Sequence, residues 1–153
     1  MDKKERVEVV KLISQVVNSL SEKEEGIPIS IFRTKGISGL EAIVVYLKDH
    51  QKKSIKEIAT SLKREASTIY TTYTNAQEKL KKIKGKLNCS DNPKTVPLKI
   101  FSQRKYSILE SLAFYLQDKE NYSLKQIANL INKNYNTVKT VLRRYRKKNN
   151  GKK

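Results

Sequence analysis

The sequence predicts an all-α protein: an N-terminal helix followed by two tandem three-helix units. Three observations carry this. Apolar residues recur at helical spacing through most of the chain. Ser-x-x-Glu capping pairs stand where several of these patterns begin, at Ser38/Glu41, Ser54/Glu57 and Ser107/Glu110. The third is an internal repeat. Residues 27–79 align on residues 96–148 without a gap at an offset of 69, with 16 identities in 53 positions. Where residues read as inward-facing differ, one apolar residue replaces another, as in Ile43/Leu112 and Ile69/Val138. Identity and pattern kept together without a gap mark a duplication.

Taken in order, residues 2–22 read as one helix. Val10, Ile13, Val17 and Leu20 follow a 3-4-3 rhythm, and Val9, Leu12 and Val16 widen the stripe. The stripe suits either a homodimer seam or packing on one of the repeats. Gly26 and Pro28 end this first region, 1–26. Ile27–Phe32 and its counterpart Val96–Phe101 are short and apolar, and are expected as extended arms that each cover their own repeat. Ser38–Asp49 and Ser107–Asp118 form the first helix of each repeat, with Leu40, Ile43, Val44 and Leu47 inward. A short helix follows in each, from Ser54 and from Ser123, burying Ile55, Ile58, Ala59 and Leu62 in the first copy. The third helix runs from Ala66 to about Lys84, with Ile69, Tyr73, Ala76 and Leu80 inward. Val138, Leu142 and Tyr145 match it in the second copy. The first repeat spans 27–84, the second 96–148. Residues 85–95, GKLNCSDNPKT, form a linker by composition. The basic tail, 149–153 within KKNNGKK, is expected to be disordered and to reach phosphate.

The totals narrow the function. The 153 residues carry a net charge of +18, which attracts polyanions, nucleic acid foremost. No apolar run is long enough for a membrane span, and the N-terminus is too charged for a signal peptide. No membrane partner and a cytoplasmic, nucleoid-associated protein are therefore expected. Cys89 is the only cysteine and His50 the only histidine, so neither an intrachain disulfide nor a Cys/His zinc site is expected. No metal or cofactor is expected. The chain is not read as an enzyme: Glu24/Glu25 look solvated, Glu41, Glu57 and Glu110 are capping residues, and no Gly-rich phosphate loop appears. A recombinase would need a further domain with clustered Arg and His.

Ser54–Thr72, SIKEIATSLKREASTIYTT, is a helix, a tight turn and a second helix, and Ser123–Val141 repeats it. Such a helix-turn-helix reads duplex DNA with the exposed start of its second helix. The candidate DNA-binding residues are Ser67, Thr68, Tyr70, Thr71 and Thr74 in the first copy. In the second they are Tyr135, Asn136, Thr137, Lys139, Thr140, Arg143 and Arg144. Ile69 and Val138 point inward. Asn136 suits adenine, and Lys139 or Arg143 suits guanine. The hydroxyls suit phosphates equally well. The first reading helix opens without a basic side chain, so it reads by Tyr and Thr contacts or serves as a protein-binding surface. The second is dense in Lys and Arg. In the turns, Lys63 and Asn132 occupy the place where Gly is common; Glu65 and Asn134 are the N-caps, Asn the stronger.

The pattern S-I-K-E-I-A-x-x-L-x-x-x-x-S-T-I at Ser54–Ile69 is similar to region four of bacterial sigma factors and to the LuxR-type DNA-binding domain. S-L-K-Q-I-A-x-x-I-x-x-x-x-N-T-V-K-T at Ser123–Thr140 resembles the same set. The resemblance covers about 20 residues per copy. It implies a DNA-binding module whose second helix sits in the major groove, and places Ser67, Thr68, Tyr70, Thr71, Asn136, Thr137, Lys139 and Thr140 there. It does not imply the sigma role, because no second sigma region for promoter melting is recognisable.

The expected function is double-stranded DNA binding as a transcriptional regulator. An extended linker reaches up to about 50 Å, enough for reading helices one DNA turn, about 34 Å, apart. The alternatives are a non-sequence-specific nucleoid binder, an RNA-binding protein, and an adaptor to the transcription machinery.

Overall fold

A computed structural model describes residues 2–24, 26–89 and 94–150, with the side chains of the first helix described through Val16. The class is all-α: seven α-helices and one two-stranded ribbon among the described residues.

Helix α1 (Lys3–Glu24) starts with a reciprocal cap. The Glu5 amide donates to Asp2 Oδ1 at 2.8 Å, and the Asp2 amide donates to Glu5 Oε2 at 3.3 Å. Every side chain from Asp2 to Val16 is exposed. Val10 and Leu12 are each 61% exposed and Ile13 57%, so this part of α1 does not pack on either repeat as a core element. Val17 and Leu20, the second half of its predicted stripe, lie outside the residues whose side chains are described.

Strand β1 (Gly26–Pro28) pairs antiparallel with β2 (Thr95–Pro97), Ile27 opposite Val96. Each strand turns at its proline into a short 3₁₀ helix, Ile29–Arg33 or Leu98–Phe101. This corrects the expectation of arms that cover only their own repeats. The first arm's 3₁₀ helix also packs on α6 (Leu124–Ile131), and the second's on α3 (Ile55–Leu62). A pair of three-residue strands has little stability alone. Here Ile27 and Val96 are buried in the shared core, which supplies the stabilisation that length does not.

The remaining helices are α2 (Gly39–Val45), α4 (Ala66–Lys82), α5 (Ile108–Asp118) and α7 (Tyr135–Asn150). Capping boxes are present at Ser38/Glu41, Ser54/Glu57 and Ser107/Glu110, and also at Ser123/Gln126. Helices α2 and α3 pack on α4, and α5 and α6 pack on α7. The backbones of the halves differ before α2, where Gly36 has φ 89° and Lys105 is not left-handed, and again after it. Tyr46–His50 widens into a π turn, with the Gln51 amide donating to Tyr46 O, while α5 stays α-helical to Asp118.

One continuous core joins the halves and includes Ile31, Phe32, Ile43, Leu62 and Ile69 with Phe101, Leu112, Leu116, Ile127 and Leu142. The rings of Phe32 and Phe101 lie 5.7 Å apart. A Cβ on Gly39 would come within 2.8 Å of Ile108 Cγ2, so only glycine lets α2 meet α5 this closely. The repeats are thus in direct contact, not held apart by an extended linker. Within 85–89, Leu87 packs on the core and the Asn88 amide donates to Thr34 Oγ1 at 2.8 Å. Helix α7 continues through Asn150, so Lys147–Asn150 are not a disordered tail; Gly151–Lys153 lie outside the described residues.

Candidate nucleic-acid interface

The turn before α4 and the turn before α7 have the same backbone. Lys63 has φ 54°, ψ 46° and Asn132 has φ 55°, ψ 47°, both left-handed. In each turn the next amide returns to the helix: Arg64 N–H to Ala59 O and Lys133 N–H to Ala128 O, both 3.0 Å. The caps differ as their side chains dictate. Asn134 Oδ1 accepts from the Thr137 amide at 2.8 Å, while Glu65 makes no side-chain cap to α4.

Past the turn, Ile69 and Val138 are buried and anchor the start of each helix. Ser67, Thr68, Tyr70 and Thr71 are exposed on α4. Thr74 is half-buried and donates its hydroxyl to Thr71 O, so it is the least available of the first set. On α7, Tyr135, Asn136, Lys139, Arg143 and Arg144 are exposed, while Thr137 and Thr140 are half-buried. Spacing of 3 and 4 residues brings Asn136, Lys139 and Arg143 to one side of α7. Tyr70 and Tyr135 are 59% and 47% exposed, unusual for rings with apolar bodies; Tyr135 opens α7 and Tyr70 is the fifth residue of α4.

The far end of each helix is fixed from behind. Glu41 Oε2 meets Lys79 Nζ at 2.9 Å, and Glu110 Oε1 meets Lys148 Nζ at 2.7 Å. Both carboxylates are buried capping-box members. Burial opposes ionisation of Glu41, but the Ser38 amide and hydroxyl and the Lys79 ammonium outweigh it and hold its pKa below the ordinary value. Tyr73 donates to Asp49 Oδ1 at 2.7 Å and Gln77 to Asp49 Oδ2 at 2.8 Å, tying α4 to the π turn. Burial first, and Asp49 second, push the Tyr73 phenol up.

Sequence reasoning missed two groups. Lys56 and Lys125 occupy equivalent exposed sites in the first turn of α3 and α6. Identity at an exposed position of both copies was the available signal. Arg33 and Arg64 are the second group. The Arg33 guanidinium donates to the carbonyls of Asn129 and Leu130 at the end of α6. Arg64 donates to Leu62 O and Phe101 O, each at 3.1 Å. These two cations clamp each arm to the other repeat's turn and are not spare charges for phosphate. Apart from Leu62, their targets lie 37 or more residues away, beyond any local pattern.

Beside α4, a groove of about 810 Å3 is lined by Val45, His50, Gln77, Leu80, Lys84 and Leu87. In the second half three rings stack: Tyr106 and Phe114 lie 4.1 and 4.0 Å from Tyr145. The equivalent residues of the first half are Ile37, Val45 and Ala76, which are smaller. No helix among the described residues is long and apolar enough to cross a membrane. No protein-family model, curated protein or solved structure matches the chain.

Proposed function

We propose that the protein binds double-stranded DNA as a transcriptional regulator, through two tandem three-helix helix-turn-helix units that follow an N-terminal helix. The observation that carries this is the pairing of a buried anchor with an exposed polar start on the same helix, twice. Ile69 is buried while Ser67, Thr68, Tyr70 and Thr71 are exposed; Val138 is buried while Asn136, Lys139 and Arg143 are exposed. A helix seated this way presents base-reading side chains without disturbing its core. The net charge of +18 supplies the long-range attraction. The resemblance of Ser54–Ile69 and Ser123–Thr140 to sigma region four and LuxR-type domains supports the same reading. Lys56 and Lys125 are assigned to phosphates beside the reading helices.

Fluorescence anisotropy of labelled 30-base-pair duplexes, titrated with the full chain at several salt concentrations, tests this. Duplex DNA should bind with a steep salt dependence and outcompete single-stranded RNA of equal length. Preferential binding of the RNA would replace the DNA reading with the RNA-binding one. Absence of binding to either would remove nucleic acid altogether.

We also infer that α1 pairs with α1 of a second copy. Its stripe of Val9, Val10, Leu12, Ile13 and Val16 is exposed. Asp2–Glu24 carries five basic and five acidic residues, so it is neutral in a chain of +18. A neutral apolar helix is repelled neither by its copy nor drawn to an anionic surface. Two chains would then bring four reading helices. Sedimentation should give a dimer or larger for the full chain and a monomer for Leu12→Lys with Ile13→Lys. A monomeric full chain contradicts it.

A further inference from the structure

We infer that the DNA site is an inverted pair of unlike half-sites, and this rests on the DNA-binding reading above. The ground is which residues touch which. When two copies of a fold meet head to tail, a residue in one touches a different residue in the other, with no return contact. When they meet about a two-fold axis every contact is reciprocal, and positions on the axis touch their own equivalents.

This chain has the second pattern. Residues 69 apart are equivalent, and three such pairs meet. Ile27 lies opposite Val96 at the centre of the ribbon. Phe32 and Phe101 are in ring contact at 5.7 Å. Gly39 receives Ile108, whose Cγ2 lies 2.8 Å from where a Cβ would stand. The off-axis contacts are reciprocal as well: the first arm packs on α6 and the second on α3. An antiparallel ribbon alone always has a local two-fold; here it is centred on equivalent residues, and two further pairs of equivalents meet beyond it. The rotation that carries α3 to α6 carries α4 to α7.

B-DNA has two-fold axes of its own, and reading helices related by such an axis approach the groove in opposite senses along the duplex. The two helices present different chemistry. Ser67, Thr68, Tyr70 and Thr71 bring methyls, a ring and hydroxyls but no cation, which favours thymine-bearing steps. Asn136, Lys139 and Arg143 bring an amide for adenine and cations for guanine. The half-sites are therefore inverted in direction and different in sequence: one A·T-rich, one containing guanine.

The test is selection from random duplex DNA with the full chain and with one graft. The graft places the exposed residues of α7 on α4: Ala66→Tyr, Ser67→Asn, Tyr70→Lys, Thr74→Arg and Asn75→Arg. With Leu12→Lys and Ile13→Lys in every version to keep the chain single, the otherwise native chain should enrich two unlike blocks at fixed spacing. The graft should replace the A·T-rich block by the reverse complement of the guanine-bearing one, giving a palindrome. If the graft does not fold, the opposite graft on α7 (Tyr135→Ala, Asn136→Ser, Lys139→Tyr, Arg143→Thr, Arg144→Asn) should give a palindrome of the A·T-rich block. A direct repeat from either graft, or a single block from the native chain, overturns the inference and leaves DNA binding intact. Failure to retain any duplex overturns DNA binding itself.

Discussion

The turns on either side of α3 and of α6 follow one path with different residues. Lys52 and Lys63 hold left-handed positions in the first half, at φ 57° and 54°; Asn121 and Asn132 hold them in the second, at 59° and 55°. Asparagine visits this region with modest cost, whereas lysine carries the full Cβ clash. The starts of α4 and α7 diverge further: Ala66–Gln77 carries no charge, whereas Tyr135–Arg146 carries Lys139, Arg143, Arg144 and Arg146. Behind them, Tyr106, Phe114 and Tyr145 stack in the second half, whereas in the first Val45, Ala76 and Leu80 pack with Ile37 and Leu87. The two halves thus share turn geometry and a common core while their exposed residues differ in chemistry. If the two helices bind DNA as proposed, the halves divide the labour: the second, braced by an aromatic stack, holds phosphate, and the first reads with less charge.

That comparison can be broken in several places. The largest effect should come from Lys139→Ala with Arg143→Ala. Affinity for duplex DNA should fall about 10- to 100-fold, and the salt slope should drop by roughly 2 as two phosphate or base cations are lost. Tyr70→Ala with Thr71→Ala should leave the slope unchanged and blunt discrimination between sequences. Equal slope losses from both pairs would erase the division of labour. Next is the stack. Phe114→Ala should cost about 2 kcal/mol in urea unfolding, and Val45→Ala roughly 1 kcal/mol. Equal costs would deny the second half its extra bracing.

Smaller still is the pH response of the Glu41–Lys79 pair. A carboxylate whose folded pKa lies below its unfolded value stabilises above the unfolded value, and loses that contribution as pH falls through the folded one. At pH 7, Glu41→Gln should lower stability by about 1 kcal/mol. The deficit should shrink as the pH falls below the ordinary carboxyl value of 4.5. A deficit that stays constant down to pH 3 would assign the loss to packing instead. The smallest effect is a gain. Lys63→Asn should stabilise by about 0.5 kcal/mol, and Asn132→Lys should cost a similar amount, both read as shifts in Tm. No gain at Lys63 would mean that its side chain compensates the strain.

Much of this was legible in the sequence, because the information was local. The capping serines and the carboxylates three residues on mark where α2, α3 and α5 begin, and helical spacing marks Ile69 and Val138 as inward. The left-handed turns at Lys63 and Asn132 follow from where glycine is common. What was not legible depends on distant partners. Ile27–Phe32 reads as apolar and β-branched, but nothing in it says that Val96 lies opposite or that α6 lies beneath. Arg33 and Arg64 look like ordinary surface cations until the carbonyls of α6 and Phe101 are in place. The π turn at Tyr46–His50 has no pattern of its own, since Tyr46, Leu47 and Asp49 are identical in the half that stays α-helical. Of the candidate reading residues, Thr74, Thr137 and Thr140 face partly inward, an angular detail finer than spacing resolves.

The central claim, two unlike helices set on one duplex by a two-fold rotation, is open to direct measurement. Glu78 and Lys147 are equivalent and exposed on α4 and α7, and Cys89 is the only native cysteine. An iron chelate tethered at Glu78→Cys or at Lys147→Cys, each in a Cys89→Ser background, would cut the selected duplex near its own helix. Each chain should give two cleavage clusters, one from each position, related by a dyad between the half-sites. Clusters repeating in the same orientation along one strand, or cutting from only one of the two positions, would contradict it.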